Sequence, residues 1–501
     1  MSKYHALFVF NPFSKIDAMP MAPALLKGIC DSHGLKTTTL DLNIEIQIDY
    51  NKTHFATEIE KYLQFFAEMT DEAREWYKKY IKKVAQKLLD YDADWIGFSL
   101  LSYQSLCFTH DICYQIKSMN PKQKILLGGP GISQDDNIKK TYKNNKMMSD
   151  IMLETGLADT VFINESENTL VDMLVNGTKG KVQTHKQLTH EELNQVPTPS
   201  YIDYKTHLYE KHSKIFHLTD QAAAATITGS KGCVRKCTFC DVFTFEPKFV
   251  FKDGNKIADE MIEIYEKQGI KHFMMSDSLI NGSMKAFRQM NEALSKRLPN
   301  TISYYGEYIA RPKGQTTPED YDLMKQAGCK HVIVGVESGS ENVRNHMGKK
   351  FSNEDLHLMI QSLNKVGITQ EWNLMVGYPT ETRKDFEDTM TLVETYKDIK
   401  FPDMIINPVG ILHLLPGSPL ADTHARRLEI EWEDVKENLT GNQYDYWKSK
   451  QNPENNFENR VKWWIELLEK AYQYGYMTDY RFSSKMSIAK RLIWHWKQNK
   501  K

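Results

Sequence analysis

The chain has few cysteines and no long hydrophobic run, and its charges nearly cancel. Its 501 residues include 7 cysteines, a low and odd number that argues against the disulfide framework of a secreted protein. No apolar run approaches the roughly 20 residues that a membrane-spanning helix needs. Because 64 basic residues face 65 acidic ones, no global charge attracts nucleic acid or an acidic membrane. We therefore expect a cytoplasmic protein that acts away from membranes.

The composition is that of a globular protein, with 41% hydrophobic and 26% charged residues. A chain of this length suits two or three domains. The N-terminal stretch MSKYHALFVFNPFSK has an apolar core too short for a signal peptide with a small-residue cleavage site. We interpret it as the first strand of a domain.

Short apolar runs alternate with helical patterns in the first third of the chain. The strand candidates are 5–10, 36–43, 93–101, 124–133 and the start of 159–174. This alternation predicts an α/β domain over residues 1–175, built on a doubly wound parallel sheet. Ligands of such sheets bind at the carboxyl ends of the strands, which here are Asn11–Phe13, 99–102, 128–133 and 164–167.

A second series of strands and helices begins after a polar stretch at 176–222, which we interpret as a linker without a strand. Its six strand candidates are 223–228, 272–277, 303–310, 331–338, 371–379 and 404–412. Six such strands with helices between them predict a partial (β/α)6 barrel over 223–425. Residues 426–501 are aromatic and helical in pattern, so we expect a helical C-terminal extension.

Three cysteines, Cys233, Cys237 and Cys240, follow the first strand of this second series with the spacing C-x₃-C-x₂-C. Barrel active sites lie at that end of the strands. Three thiolates leave one iron of a four-iron cluster without a protein ligand, whereas structural zinc normally takes four ligands from paired sets. No second pair exists here. Lys231, Arg235 and Lys236 are expected to favour thiolate formation. The spacing predicts a reactive iron–sulfur site.

These cysteines and the motifs behind them resemble radical S-adenosylmethionine enzymes. The resemblance covers roughly 223–422 and includes SDSLINGS (276–283), GVESGSENV (335–343), NLMVGYPTET (373–382) and LLPGSPLAD (414–422). In that family the cysteines hold a [4Fe–4S] cluster, whose open iron binds the amino and carboxylate groups of S-adenosylmethionine. Reductive cleavage then gives methionine and a 5′-deoxyadenosyl radical. The resemblance implies these two cofactors and an electron donor such as flavodoxin or ferredoxin.

The resemblance also implies roles for individual residues around the three cysteines. Contacts to S-adenosylmethionine are expected from Phe239 near the adenine, Asp277 and Ser278 near the methionine amino group, Arg311 after the third strand, Glu337 and Ser338 near the ribose or carboxylate, and Met375 and Gly377 behind the adenine. The glycine-glycine-glutamate usual at the methionine site is absent from this chain.

Residues 1–175 resemble the cobalamin-binding domain that precedes the radical domain in one large subgroup. The matching segments are 92–105, 124–133 and 161–174, and they imply cobalamin contacts at Ser99, Leu101, Gly128, Gly129 and Glu165. Many such domains carry a D-x-H-x-x-G motif after the first strand, whose histidine ligates cobalt. Here that loop reads NPFSKIDAMPMAPALLKG, without histidine. Either cobalamin binds without this ligand, or the domain is a scaffold.

The resemblance implies radical modification of a small-molecule substrate. If cobalamin binds, the expected outcome is methyl transfer to an unactivated carbon or phosphorus centre; ring formation and rearrangement are the other outcomes. One alternative is methylthiolation of tRNA. Enzymes of that group carry a second cysteine trio, whereas Cys30, Cys107 and Cys113 form no matching set, so we do not expect a nucleic-acid substrate. Another alternative is a non-catalytic cobalamin or redox sensor, which would not need an open iron.

Overall fold

The computed structural model describes residues 2–133, 146–184, 187–212, 222–415, 417–432 and 443–499. The chain divides into two compact units. The first comprises Met1–Thr228, Val250–Lys252 and Lys256–Met274, and the second comprises Gly229–Phe249, Asp253–Asn255 and Met275–Lys501. Within the described ranges, no helix is long and apolar enough to cross a membrane.

The first unit contains a six-stranded parallel sheet. Its strands are β1 (Tyr4–Phe10), β2 (Thr37–Asp41), β3 (Ala93–Ser99), β4 (Lys124–Gly128), β5 (Thr160–Ile163) and β6 (Gly180–Gln183). They are ordered β2-β1-β3-β4-β5-β6, and every neighbouring pair is parallel. The strand order reverses between β1 and β3, which is the switch point where such sheets form a ligand crevice. The predicted doubly wound sheet is confirmed.

Nine helices precede the second sheet in the described residues. They are α1 (Met21–Ser32), α2 (Leu42–Tyr50), α3 (Ala56–Phe65), α4 (Asp71–Leu89), α5 (Leu106–Met119), α6 (Met148–Glu154), α7 (Leu170–Asn176), α8 (His190–Gln195) and α9 (Thr206–His212). Residues 54–90, whose apolar positions recur at helical spacing, form two helices, α3 and α4. Phe66 ends α3 in the left-handed region (φ 55°), and the Thr70 side chain caps α4 by accepting from Ala73 N.

The interpretation of 176–222 as a stretch without a strand was wrong. β6 lies in this stretch and pairs with β5 as the outermost strand of the first sheet. Its sequence, GKVQ, has a single apolar residue, Val182. An edge strand pairs on one side only and is not buried on both faces, so it lacks the continuous apolar run that marks the central strands.

A second six-stranded sheet is formed by β7 (Ala224–Ile227), β10 (His272–Met275), β11 (Ser303–Tyr308), β12 (Cys329–Glu337), β13 (Thr369–Val376) and β14 (Met404–Ile411). Its order is β14-β13-β12-β11-β10-β7, and the pairs from β11 to β14 are parallel. This open order confirms the predicted partial barrel of six strands. Four shorter strands are β8 (Ser230–Lys231), β9 (Val250–Phe251), β15 (Ile430–Trp432) and β16 (Trp447–Ser449).

Helices connect the strands of the second sheet and, with the antiparallel pair β15–β16, form the C-terminal extension. They are α10 (Val242–Phe245), α11 (Gly254–Gln268), α12 (Met284–Arg297), α13 (Pro318–Gln326), α14 (Glu341–Met347), α15 (Asn353–Val366), α16 (Arg383–Thr395), α17 (Ala425–Arg427), α18 (Phe457–Gln473) and α19 (Asp479–Asn499). Capping boxes start α13, α15 and α16, at Thr317, Ser352 and Thr382. Each box satisfies two otherwise unpaired N–H groups.

The glycine turn after β4 is shaped by the loop after β3. Gly129 has a φ of +100°, and a Cβ added there would lie 2.5 Å from the carbonyl oxygen of Leu100. A Cβ on Gly131 would overlap the carbonyl group of Ser102. The backbone of this chain therefore requires both glycines for its own packing, whether or not a ligand approaches the turn.

We expect Gly129→Ala to lower the free energy of unfolding by at least about 2 kcal/mol, because the added methyl group meets backbone in a left-handed conformation. Gly128→Ala is the matched control, since its Cβ would make only an ordinary contact, 3.7 Å from Phe162 Cβ. Urea denaturation of both variants measures the difference. Equal stability of the two variants would show that the turn is not constrained as described.

Candidate active site

The cysteine loop is tightly folded and held at both ends. Gly232 adopts a φ of +72°, and a Cβ there would overlap the carbonyl oxygen of Lys248. The amide of Cys240 donates to Cys237 O (3.2 Å), and the amide of Thr238 donates to Met347 O (2.9 Å). The loop is therefore fixed both by its own turn and by the end of α14.

The three thiols lie near one another. Burial raises the pKa of Cys233, Cys237 and Cys240, and each thiol is also affected by the charge of another member of the trio. Lys349 opposes the rise at all three. Of the three basic residues expected to favour the thiolates, Arg235 lowers the pKa of Cys233 and Cys237. The main positive charge comes instead from Lys349, which local sequence did not indicate.

Lys349 connects two of the predicted cofactor contacts. Its ammonium donates to Glu337 Oε1 (2.7 Å) and to Gly335 O (2.9 Å), and it lies 5.6 Å from the ring centroid of Phe239. Burial opposes the charge of Lys349, but Glu337 and Cys237 raise its pKa overall. Glu337 is buried at the carboxyl end of β12 with a φ of 66°, a conformation uncommon for a residue with a side chain.

Two other residues predicted to contact S-adenosylmethionine, Asp277 and Ser338, have hydrogen-bond partners within the protein. The Asp277 carboxylate accepts from Gly229 N (2.9 Å) and from the Ser230 hydroxyl (2.6 Å), so it anchors the start of the cysteine loop. Ser338 is fully buried, and its hydroxyl lies 3.3 Å from that of Thr389. Ser278, next to Asp277, is half-buried. Contacts of these residues with S-adenosylmethionine stay predictions.

Phe239 and Met375 lie in one apolar cluster, as expected for two sides of a single pocket. The cluster also contains Tyr378, whose hydroxyl is 2.8 Å from that of Thr238 in the cysteine loop. Gly377 has a φ of 91°, and a Cβ there would overlap the side chain of Arg460 on α18. The C-terminal extension therefore supports the loop that follows β13.

Arg235 in the cysteine loop and Arg311 near it are half-buried, and each has buried N–H groups without acceptors. Within the described residues, Nε and Nη2 of Arg235 and Nε and Nη1 of Arg311 have no hydrogen-bond partner. Burial and the charge of Arg235 lower the pKa of Arg311, so the two groups are close enough to repel. Buried, unpaired cations are costly unless an anion compensates them. This arrangement fits an anionic cluster and a ligand carboxylate.

No group of three His, Cys, Asp or Glu side chains in the described ranges is placed to hold a single metal ion. A cubane cluster places different requirements on its ligands, because each thiolate binds a different iron and the sulfur atoms stay farther apart. The fit to a cluster therefore rests on the proximity of the three thiols and on the arginine N–H groups near them that have no acceptor in the described residues.

The inner wall of the barrel carries polar side chains. Tyr304 donates to Asn291 on α12 (2.5 Å), so its side chain faces the helices. Because side chains alternate along a strand, Glu307 lies on the opposite face of β11. Burial, and then the charge of Glu337, raises the pKa of Glu307 to about 7. Asn407 on β14 donates to Asn373 on β13 (2.9 Å), and both side chains are half-buried. The strand pattern at 303–310 includes Glu307 without indicating a role for it, although strand alternation would have indicated the direction of its side chain.

In the first unit, the carboxyl end of β3 presents apolar surface. Ser99 pairs in register with Phe10 of β1 and Gly128 of β4. Beyond it, Leu101 and Tyr103 are 50% and 53% exposed. Two fully buried polar atoms in this region, Asn11 Oδ1 and Ser105 Oγ, have no partner within the described part of the chain.

Glu165, the remaining predicted cobalamin contact, accepts a hydrogen bond from Leu188 N. Its carboxylate therefore holds a loop of the chain itself. Contacts of Ser99, Leu101, Gly128, Gly129 and Glu165 with cobalamin stay predictions.

Comparison with known proteins agrees with this geometry. Residues 227–393 match the sequence model of the Radical SAM superfamily. The chain contains a radical S-adenosylmethionine domain. The family resemblance is thereby confirmed, and the cofactors of this superfamily are the [4Fe–4S] cluster and S-adenosylmethionine.

One curated relative of the radical S-adenosylmethionine domain is a tRNA-2-methylthio-N(6)-dimethylallyladenosine synthase from Clostridium novyi (strain NT). It is 30% identical over 190 residues, which are 35% of this chain and 40% of the relative. The chain thus spans two fifths of the length of that relative.

Two solved structures share the fold of the chain. TsrM from Kitasatospora setae, a radical S-adenosylmethionine methyltransferase with cobalamin and a [4Fe–4S] cluster bound, has a TM-score of 0.56 at 15% identity, covering 90% of this chain and 84% of its own. The cobalamin-dependent S-adenosylmethionine radical enzyme OxsB, with aqua-cobalamin bound, has a TM-score of 0.62 at 16% identity, covering 99% and 72%. At these identities the likeness shows the fold, and it confirms the predicted fold class.

We expect Lys349→Met to lower the free energy of unfolding by about 3 kcal/mol, because it leaves the Glu337 carboxylate buried without its cation. Adding Glu337→Gln to this variant should recover part of the loss. Urea denaturation of the two single variants and the double variant measures the coupling.

The matched control is Lys313→Met, which breaks an exposed ion pair with Glu354 (2.9 Å) and should change stability by less than about 1 kcal/mol. Additive losses at Lys349 and Glu337 would contradict a coupled buried pair.

Proposed function

We propose that this protein is an iron–sulfur enzyme that cleaves S-adenosylmethionine reductively and uses cobalamin to modify a small molecule, most simply by methyl transfer. The observation that carries the proposal is the convergence of three buried or half-buried thiols near two arginines whose buried N–H groups have no acceptor in the described residues. That combination suits an anionic cluster with a carboxylate-bearing ligand at its open iron.

Cys233, Cys237 and Cys240 would hold the cluster. When bound, it supplies the electron that splits the sulfonium of S-adenosylmethionine into methionine and a 5′-deoxyadenosyl radical. Arg235 and Arg311 offer N–H donors to anionic groups, and burial strengthens such charge-assisted hydrogen bonds. The protein's contribution is to bind and orient the reactants and to exclude water.

Cobalamin would bind at the switch point of the first sheet. The exposed Leu101 and Tyr103 offer apolar surface to the face of a corrin ring, and Asn11 and Ser105 offer polar atoms that have no partner in the described residues. When bound, cobalamin supplies the carrier for the methyl group. The loop after β1 has no histidine, so the chain offers no lower ligand from that position.

The barrel wall suggests the kind of substrate. Glu307, Asn373 and Asn407 are partly accessible on β11, β13 and β14, so the wall offers hydrogen-bond acceptors and donors to a polar small molecule. A pKa near 7 lets the Glu307 carboxyl act as donor or acceptor at neutral pH. An electron donor such as flavodoxin or ferredoxin completes the system.

Methylthiolation of tRNA is the second candidate, because a relative of the radical domain bears that name. Enzymes of that group carry a second cysteine trio. Here Cys30, Cys107 and Cys113 are fully buried, and burial raises the pKa of Cys30 and Cys107 to about 12. Cys30 lies in a different apolar cluster from Cys113. These thiols are therefore poor ligands for a second cluster.

Anaerobic reconstitution of the wild-type protein should load about four iron atoms per chain and, with dithionite, yield 5′-deoxyadenosine from S-adenosylmethionine. Cys237→Ala should lose both, because the remaining two thiolates cannot hold a stable cluster. Cys107→Ala should retain both. Iron analysis and chromatography of 5′-deoxyadenosine measure these outcomes.

Two results would count against the proposal. A fully loaded, reduced cluster that yields no 5′-deoxyadenosine would favour a sensor over an enzyme. About eight iron atoms per chain would indicate a second cluster and favour the methylthiolation candidate.

We expect the wild-type protein to retain corrinoid absorbance after incubation with hydroxocobalamin and gel filtration. The variant Leu101→Glu should weaken this binding at least about tenfold, because a carboxylate would replace apolar contact surface. Leu358→Glu is the matched control, because that leucine is 43% exposed on α15 of the second unit. Equal retention by both variants, or none by the wild type, would contradict the assignment to the first sheet.

A further inference from the structure

A cavity of about 840 Å³ opens on the first unit, away from the edge expected to bind cobalamin. Tyr4, the first residue of β1, and Tyr91, which precedes β3, both line it, so it lies at the amino ends of these strands. Ligands of doubly wound sheets bind at the opposite edge. Its volume is within the range of small-molecule and cofactor sites. The cavity is therefore separate from the site already described.

Positive charge is concentrated in this cavity. Its lining has five lysines and one acidic residue: Lys3, Lys79, Lys82, Lys83, Lys87 and Asp90. The chain as a whole is nearly neutral, with 64 basic and 65 acidic residues. The excess of four positive charges is therefore a local feature, and it favours an anionic ligand.

Most of this charge is uncompensated. Lys87 pairs with Glu45, whereas Lys3, Lys79, Lys82 and Lys83 form no ion pair with any residue that the structure describes. Four of the lysines lie on α4 at positions i, i+3, i+4 and i+8, so they share one face over about 12 Å of helix. Like charges at this spacing destabilise a helix, and a bound polyanion would remove the repulsion.

Aromatic rings accompany the lysines. The ring of Tyr4 has the ammonium groups of Lys3 and Lys36 at 5.2 Å and 5.3 Å from its centroid, and Tyr91 lines the same cavity. Lysines bind phosphate as point charges, and aromatic rings stack with bases. An acidic peptide would use the lysines but would gain less from the rings.

We propose that this cavity binds the phosphate groups of a nucleotide-containing ligand, with a base stacked against Tyr91. The same chemistry comes from a free nucleotide or from a single strand of RNA. The helix face of about 12 Å is long enough to contact several phosphates. Binding here does not depend on the iron–sulfur site or on cobalamin.

Binding of ATP and of a fluorescent single-stranded RNA of about a dozen nucleotides to the full-length protein tests the proposal. Both affinities should fall as salt rises, because phosphate contacts release counterions. Lys82→Gln/Lys83→Gln should weaken binding about tenfold. Lys61→Gln/Lys211→Gln, which removes two exposed lysines outside the cavity in the same unit, should not change it.

Tighter binding of RNA than of ATP would identify a nucleic-acid ligand, and the reverse would identify a free nucleotide. Either result supports the site if the Lys82→Gln/Lys83→Gln variant loses that binding. Equal binding by the two double variants would overturn the proposal. Displacement of the fluorescent RNA by polyglutamate as effectively as by unlabelled RNA or ATP would also overturn the proposal. The surface would then select negative charge alone and not a phosphate joined to a base.

Discussion

The buried ion pair between Lys349 and Glu337 is the contact on which the candidate active site depends. Lys349 donates to Glu337 at the carboxyl end of β12, and its charge reaches all three cysteine thiols and the ring of Phe239. A buried cation needs a partner, and Glu337 is held in a left-handed conformation to provide one. One ammonium group thus connects the cysteine loop, a strand end and an aromatic wall.

The C-terminal extension supports the same site from another side. Arg460 on α18 is fully buried, donates to Asp445 O and Trp447 O (2.8 Å each), and packs its stem against Gly377. Trp464 donates to Pro408 O on β14 (3.1 Å). These contacts show that the aromatic side chains of the extension pack against the strands and loops of the second unit. Such packing restrains the loop after β13, so the pocket is built on rigid elements.

The first unit offers two chemically different edges of one sheet. At the carboxyl ends of its strands, Leu101 and Tyr103 are exposed and apolar. At the amino ends, lysines and tyrosines line a cavity. A parallel sheet makes this possible because all of its strands end at the same edge. The apolar edge suits a corrinoid, and the basic edge suits phosphates.

Local sequence patterns determined most of the strands and helices of this protein and the position of its cysteine loop. The alternation of apolar runs and helices predicted both sheets, and the cysteine spacing identified the loop of the radical domain. Only the tertiary structure revealed the role of Lys349, the proximity of Arg235 to Arg311 and the edge strand β6. It also showed that Gly129 is required by Leu100 and that Asp277 anchors the cysteine loop. The physical reason is range: periodicity and spacing act within a turn or a strand, whereas ion pairs and close packing depend on residues that only folding brings together.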